Sequence, residues 1–252
     1  MGKYFTVKIK PVLPALSAGM HAAFADNDLL WDWFSFEIPK GTCRIVGASL
    51  EVMPRQITSA AVNEYDLDLI FAKDVKNAVG GMTAPTSLGA SNGALTADVN
   101  NRNHIVCNIP ASTFVYEAHL DSTAFAKASP AKIGDAFLYG EPDSGTNVGY
   151  DRLYVAGVAA GAFDFRTNLA INNGTLDEDT FTVDTADPRL FMQPGDIIAF
   201  TADGSAAKPA GTIRNMPDEN TIIITSTTTT AAVNDDLVYN TTPFTITLFC
   251  ER

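Results

Sequence analysis

Hydrophobic and polar positions alternate over short segments along most of the chain. In residues 65–73 the apolar side chains fall at every second position, with Asp66 and Asp68 between them. Residues 244–250 repeat the alternation, with threonines on the polar side. A period of two residues is that of a β-strand with one face buried, and Gly, Pro, Asn and Asp separate the segments. The sequence therefore predicts an all-β fold of antiparallel sheets.

The predicted strands form two groups. The first comprises residues 3–10, 29–38, 43–53, 65–73 and 104–110, and the second comprises 152–157, 167–171, 180–183, 196–201, 211–215, 221–226 and 236–240. Within the first group, residues 76–101 are rich in Gly, Ala, Asn and Thr and predict a long surface loop. The best helical candidates, around 112–119 and 122–128, are short and rich in β-branched or small residues, which favour a helix weakly.

The two groups of strands predict two domains. A β-sandwich needs about seven or eight strands, so residues 1–145 look incomplete alone, and the strongly alternating strand in 242–252 would complete them. We therefore expect a jelly-roll-like antiparallel sandwich, with residues 146–241 inserted as a small, acidic β-barrel. Residues 150–241 hold 13 of the 29 acidic residues but only 5 of the 17 basic ones, which supports a boundary there.

Charge and hydropathy exclude several functional classes. The net charge is −12, and the sequence has no cluster of Lys and Arg of the kind that a phosphate-binding surface requires. Nucleic-acid binding is therefore not expected. No run of about 18 apolar residues is present, so no membrane span is expected. Lysines interrupt the N-terminal segment "MGKYFTVKIK" where a signal peptide needs an apolar stretch, which indicates a cytosol-like compartment unless the protein leaves inside a larger particle.

Residues able to do chemistry are scattered. The cysteines (Cys43, Cys107 and Cys250) and the histidines (His21, His104 and His119) lack the spacings of a disulfide framework or a zinc site. Ser91 lies in "GASNG", which matches a nucleophile elbow, but that motif needs a strand before it and a helix after it, and neither is predicted. We therefore expect no catalytic residue, no metal site and no cofactor, and the protein is not expected to be an enzyme.

Acidic residues next to turn residues pose a separate question. They occur in "PGD" at 194–196, in Asp177, Glu178 and Asp179, and in Asp235 and Asp236. Oxygen-rich loops of this kind can bind calcium, although the order of an EF-hand loop is missing. Two facing carboxylates could also serve glycoside hydrolysis. The interpretation we favour is that these carboxylates belong to turns, which we expect to be solvated at 177–179 and at 235–236.

Large aromatic residues provide the candidate interface. If residues 29–38 form one strand, Trp31 and Trp33 lie on the face opposite Phe34 and Phe36. The tryptophans are then covered by the loop at 76–101, presented to a protein partner, or stacked on a sugar, since large exposed aromatics mark interaction surfaces. The candidate interface residues are Tyr4, Phe5, Trp31 and Trp33.

Several segments together resemble accessory structural proteins of tailed bacteriophages. They are "WDWFSFEIPKG" at 31–41, "GASLEV", "YDLDLIFAK", and the series "FMQPGDIIAF", "GTIRNMPDENTIIIT" and "NDDLVYN" in the second group of strands. In such virion proteins similar turns belong to small inserted barrels. The resemblance implies a virion protein assembled in a bacterial cytoplasm, with the major capsid protein or other virion proteins as partners and a homo-oligomer, which we expect to be a trimer.

The resemblance leaves more than one function open. The leading hypothesis is a capsid decoration, or cement, subunit that binds across junctions between capsid subunits. A neck, tail or fibre-tip protein that takes part in host attachment is an alternative. A carbohydrate-binding β module is a second alternative, in which Trp31, Trp33 and an acidic pair would line a groove.

Overall fold

The described part of the chain is built almost entirely from antiparallel β-strands. The structure, a computed structural model, describes residues 2–13, 24–53, 66–73, 85, 88–96, 104–117, 124–128, 133, 136–142, 149–161, 169–172, 179–184, 186–201, 208–228 and 231–252. All its strand pairs are antiparallel, so the predicted all-β class is confirmed. In chain order the strands are β1 (Tyr4–Ile9), β2 (Phe34–Pro39), β3 (Cys43–Val52), β4 (Leu67–Ala72), β5 (Ile105–Ile109), β6 (Phe114–Glu117), β7 (Ala124–Ala128), β8 (Phe137–Leu138), β9 (Glu141–Pro142), β10 (Tyr150–Ala159), β11 (Ala170–Ile171), β12 (Thr180–Asp184), β13 (Ile197–Thr201), β14 (Lys208–Asn215), β15 (Thr221–Ile224), β16 (Leu237–Asn240) and β17 (Phe244–Glu251).

The helical candidates of the sequence are strands instead. After a single 3-10 turn at Ala111–Thr113, the segment around 112–119 continues as β6, and the segment around 122–128 contains β7. The two strands pair with each other, and β7 pairs with β3. Pairing with β3 adds these segments to an existing sheet, which outweighs their weak local preference for a helix.

Two sheets form the sandwich. One has the strand order β1-β17-β3-β7-β6, with β8 also pairing with β3, and the other has the order β2-β10-β4-β5, with β9 pairing with β10. The C-terminal strand β17 lies between β1 and β3, with Phe244 opposite Val52 at one end and Glu251 opposite Arg44 at the other. The last strand of the chain is therefore a central strand of the first sheet.

The boundary of the inserted unit lies later than residue 146. The predicted strand at 152–157 is part of β10, which pairs with β2 and β4 in the middle of the second sheet. Seven successive β10 residues, from Leu153 to Ala159, are buried. Burial on both faces removes the polar side of the alternation, so the local pattern does not show to which sheet the strand belongs. The described barrel strands begin at β11.

The inserted unit is a closed barrel with its own core. Its strands follow the order β11-β12-β15-β14-β13-β16. Their apolar side chains form a cluster separate from the sandwich core, in which the Phe181 and Phe200 rings lie 5.0 Å apart. Closure leaves no free sheet edge among the described barrel strands, which removes a surface on which another chain could add a strand.

Two equivalent turns lead into the adjacent barrel strands β13 and β16. In the first, the Gln193 amide donates to Asp196 Oδ2 over 2.9 Å, and the Asp196 amide donates back to the Gln193 carbonyl over 3.0 Å. In the second, Val233 and Asp236 make the same two bonds at the same lengths. Both carboxylates are buried. Asp196 and Asp236 are therefore turn residues, as favoured from the sequence, but the burial of Asp236 contradicts the expectation that its turn is solvated.

Replacing Gly195 with alanine should lower stability by about 1 kcal/mol. Gly195 has φ +90° and open space around it, so the cost comes from the backbone conformation and not from a clash. Asp235, at the same position of the second turn, has φ +70°. The matched change Asp235→Gly should consequently be nearly neutral, as measured by urea unfolding. Equal losses from both substitutions would contradict this explanation.

Candidate functional site

Trp31 and Trp33 are buried, and neither is on a surface that a partner could reach. Strand β2 begins at Phe34, so the alternation does not extend back through the tryptophans. The fully buried Trp31 packs on Phe244 with ring centroids 5.1 Å apart, and its indole nitrogen donates to the Val155 carbonyl over 3.1 Å. The expectation that Trp31 belongs to an interface is wrong for this structural reason.

Trp33 is covered by part of the predicted surface loop. Its indole nitrogen donates to the Gly89 carbonyl over 3.2 Å, and it packs in a small cluster that includes Leu88. In the same loop the Ser91 hydroxyl donates to Asp32 Oδ1 over 2.9 Å. The covering loop therefore accounts both for the burial of Trp33 and for the "GASNG" match, in which Ser91 helps to hold the loop against residues 31–33.

The other two candidate interface residues lie on β1 at an edge of the first sheet. The Tyr4 side chain is 72% exposed, whereas Phe5 is half-buried and packs against the sandwich core. Tyr4 hydrogen-bonds to Glu251, and this bond raises the pKa of the Tyr4 hydroxyl. Glu251 also forms a 2.6 Å ion pair with Arg44, which is the main reason that the pKa of its carboxyl is lowered. The exposed end of β1 is thus held by a polar chain of three side chains.

The outer backbone edge of β1 has no partner strand among the described residues. Lys3 and Arg252 exchange two backbone hydrogen bonds, of 3.1 and 3.0 Å, and so form a hydrogen-bonded pair. Because such pairs alternate along an antiparallel ladder, the amide and carbonyl groups of Tyr4, Thr6 and Lys8 point away from β17. β1 therefore presents three donors and three acceptors at the edge of the sheet.

A groove of about 530 Å³ lies between β1 and the edge strand β2 of the facing sheet. Its apolar lining includes Phe5, Val7, Phe34 and Tyr150, and the Tyr150 side chain is 46% exposed. An open sheet edge beside a partly apolar groove is a surface on which a polypeptide strand can bind. We take this edge and groove, called the β1 edge below, as the candidate interaction surface.

Lysines flank the β1 edge of an acidic protein. Lys3 and Lys8 are exposed, and Lys40 directly follows β2. Lysines and prolines are typical of edge strands, and Pro39 ends β2 where the backbone faces away from β10. These residues were the signal in the sequence for two edge strands, although their position beside each other depends on the packing of the two sheets.

The junction between sandwich and barrel is a second feature that the sequence did not reveal. Asp196 is 1% exposed, and Lys10, just after β1, binds its Oδ1 atom at 2.5 Å. Asn240, the last residue of β16, donates to Asp196 Oδ2 over 2.7 Å. The side-chain oxygen of Asn240 accepts from the Thr242 amide over 2.9 Å. This network joins the end of the barrel to the start of β17 and to β1.

Two of the remaining acidic candidates, Asp236 and Asp179, lie close to basic side chains of the protein. Lys208 binds the buried Asp236 at 2.9 Å, and Arg214 lies 3.5 Å from Asp179. Asp177 and Glu178 lie outside the described residues, as do His21 and His119. In the part of the chain that the structure describes, no three His, Cys, Asp or Glu residues come together as a possible metal site.

The cysteines lie in the sandwich core. Cys43 and Cys250 are buried and hydrogen-bonded to each other, and this bond lowers the pKa of the Cys43 thiol and raises that of Cys250. Burial raises the pKa of the Cys107 thiol to about 12. A thiol with a pKa this high is a poor nucleophile near neutral pH, and packing explains its position.

Comparison with known proteins gives no assignment. No family model matches the chain, and no curated protein is significantly similar to it. None of the helices among the described residues is long and apolar enough to cross a membrane.

Proposed function

We propose that the protein is a structural subunit of a bacteriophage virion, and that it decorates the head by binding across junctions between capsid subunits. The β1 edge carries this proposal, because it offers unpaired backbone groups, an apolar groove and flanking lysines for contact with another polypeptide. The resemblance of the turn and strand segments to phage accessory proteins supplies the virion context.

The two-part architecture supports the same proposal. Binding at many lattice sites resists internal pressure only if each subunit is itself a firm body. The buried network around Asp196, with bonds of 2.5 to 2.9 Å, ties the barrel to the sandwich. In this proposal the sandwich is the anchor on the capsid. The acidic barrel, closed and without a free edge, projects outward and keeps the particle soluble.

The carbohydrate-binding alternative has lost the residues on which it depended. Sugar stacking needs an exposed aromatic face, but Trp31 is fully buried and Trp33 is 6% exposed. The acidic residues of the two barrel turns are bound by lysines and by backbone amides. No specific observation favours that function.

Purified protein should co-sediment with capsids that lack it and should saturate at a fixed number of copies per lattice site. Tyr150→Asp, placed in the groove, should reduce binding by about tenfold, because many weak contacts act together and a charge in the groove opposes each one. Tyr139→Asp is the matched control, since Tyr139 is 43% exposed and does not line the groove.

Failure to bind capsids would refute the proposed role in capsid decoration. Binding to host cells in the absence of capsid binding would favour the neck, tail or fibre-tip alternative. Equal binding by the Tyr150 and Tyr139 variants would show that the groove does not take part.

A further inference from the structure

The β1 edge is complementary to itself. We propose that it is the contact between two copies of this chain, related by a twofold axis, with β1 of each copy paired antiparallel to β1 of the other. The first sheet would then continue from one subunit into the next. This inference does not depend on the virion role. It gives the β1 edge a second copy as occupant in place of a capsid-protein strand, and a dimer in place of the trimer that the resemblance implied, and the tests below distinguish the two occupants.

The hydrogen-bonding positions select one register. Tyr4, Thr6 and Lys8 are the β1 residues whose amide and carbonyl groups face outward. All three are used at once only when Thr6 faces Thr6 of the second copy and Tyr4 faces Lys8. A shift of two residues in either direction leaves outward-facing groups unpaired at the ends. The selected register forms about six backbone hydrogen bonds across the twofold axis.

The side chains agree with this register on the exposed face of the sheet. Tyr4, Thr6 and Lys8 are all exposed there. Each Lys8 lies opposite a Tyr4 ring of the other copy, which permits a cation–π contact, and the two threonines form a cross-strand pair. A lysine on an edge usually opposes pairing with other strands, but no two lysines face each other in this register.

The opposite face of β1 is apolar, and its side chains agree with the same register. Phe5 and Val7 are half-buried and pack at the rim of the sandwich core. In the register set by Thr6, each Phe5 lies opposite a Val7 of the second copy. Both then cover the groove beside Phe34, so apolar surface that is open in one subunit is buried in the pair. A twofold contact requires this kind of self-complementary surface.

Sedimentation equilibrium of the full chain without capsids tests the proposal. The wild-type protein should form a dimer whose dissociation constant lies at or below the micromolar range. Thr6→Lys and Thr6→Glu should each raise that constant by about tenfold or more, because they place like charges opposite each other on the axis. An equimolar mixture of the two variants should restore the dimer. Thr180→Lys, an exposed strand residue of the barrel, is the matched control and should leave the dimer unchanged.

Cysteine cross-linking tests the register. Thr6→Cys should cross-link to itself under mild oxidation, because facing Cα atoms about 5.5 Å apart can form a disulfide. Tyr4→Cys and Lys8→Cys should not cross-link alone but should do so when mixed.

Two results would overturn the proposal: a monomer at every concentration tested, or an oligomer that the Thr6 variants leave intact. A monomer whose Thr6 variants lose capsid binding would assign the edge to a capsid-protein strand. A dimer that ignores capsids would leave this inference standing and remove the proposed function.

Discussion

Gly157→Ala should destabilise the sandwich by about 3 kcal/mol, which is the upper range for one extra methyl group in a packed core. A Cβ atom at Gly157 would lie 2.2 Å from Trp31 Cη2 and within 2.8 Å of two further ring atoms. The ring cannot move away easily, because it is fully buried, packs on Phe244 and is held by its bond to Val155. Urea unfolding followed by tryptophan fluorescence would measure the loss.

Two companion variants define the cause. Gly149→Ala is the matched control, since its Cβ would meet nothing within 4 Å, and it should change stability by less than about 0.5 kcal/mol. Trp31→Phe should partly rescue Gly157→Ala, because the smaller ring leaves space for the methyl group. A coupling above about 1 kcal/mol in the double-mutant cycle is expected. Equal unfolding midpoints for the two alanine variants would refute the explanation.

The contact between Trp31 and Gly157 also shows where prediction from the sequence ends. The alternation of apolar and polar residues located six strands well: β1, β3, β4, β5, β13 and β17. Such a pattern can be recognised within one strand, because it depends only on which residues lie on each of that strand's two faces. The position of Trp31 depends instead on a glycine more than 120 residues away in the chain. A continuous strand from Trp31 to Phe36 would put both tryptophans on the face opposite Phe34. In the structure β2 begins only at Phe34, so this expectation does not apply to the tryptophans.

The start of the barrel could not be located for a related reason. β10 has turn residues before it and precedes the acidic segment, so composition alone groups it with the barrel. Its pairing with β2 and β4, which come more than 70 residues earlier, places it in the sandwich. Strand partners at this separation are set by the packing of the whole domain, and no local pattern records them.

The candidate surface was predictable only in part. Tyr4 and Phe5 were identified, and the structure places them on an edge strand beside a groove. The contribution of Thr6 follows from the alternation of backbone hydrogen bonds with β17, which requires the register between the first and last strands of the chain. Trp31 and Trp33 had the stronger signal by residue type, yet both are used inside the protein.

Asp196→Ala should cost about 3 kcal/mol and should uncouple the barrel from the sandwich. The substitution leaves the Lys10 ammonium, the Asn240 amide and the Gln193 backbone amide without their common acceptor. Asn240 is buried, whereas the Lys10 side chain is 27% exposed and keeps its bond to the Gly195 carbonyl. Removing one partner from a buried ion pair is costly because the remaining polar groups lose solvation without compensation. Calorimetry should show one transition for the wild-type protein and two for the variant.

Asp236→Ala tests whether the uncoupling comes from loss of the turn or from loss of the junction between barrel and sandwich. Asp236 has the same turn geometry and its own lysine, Lys208, but its bonds stay within the barrel. We expect a similar loss of stability with barrel and sandwich still unfolding together, because Lys10 and Asn240 keep their contacts with Asp196. If both variants gave two transitions, the coupling would depend on the stability of the barrel and not on the Asp196 network. If neither variant gave two transitions, the connection at residues 241–243 would be sufficient to couple the barrel to the sandwich.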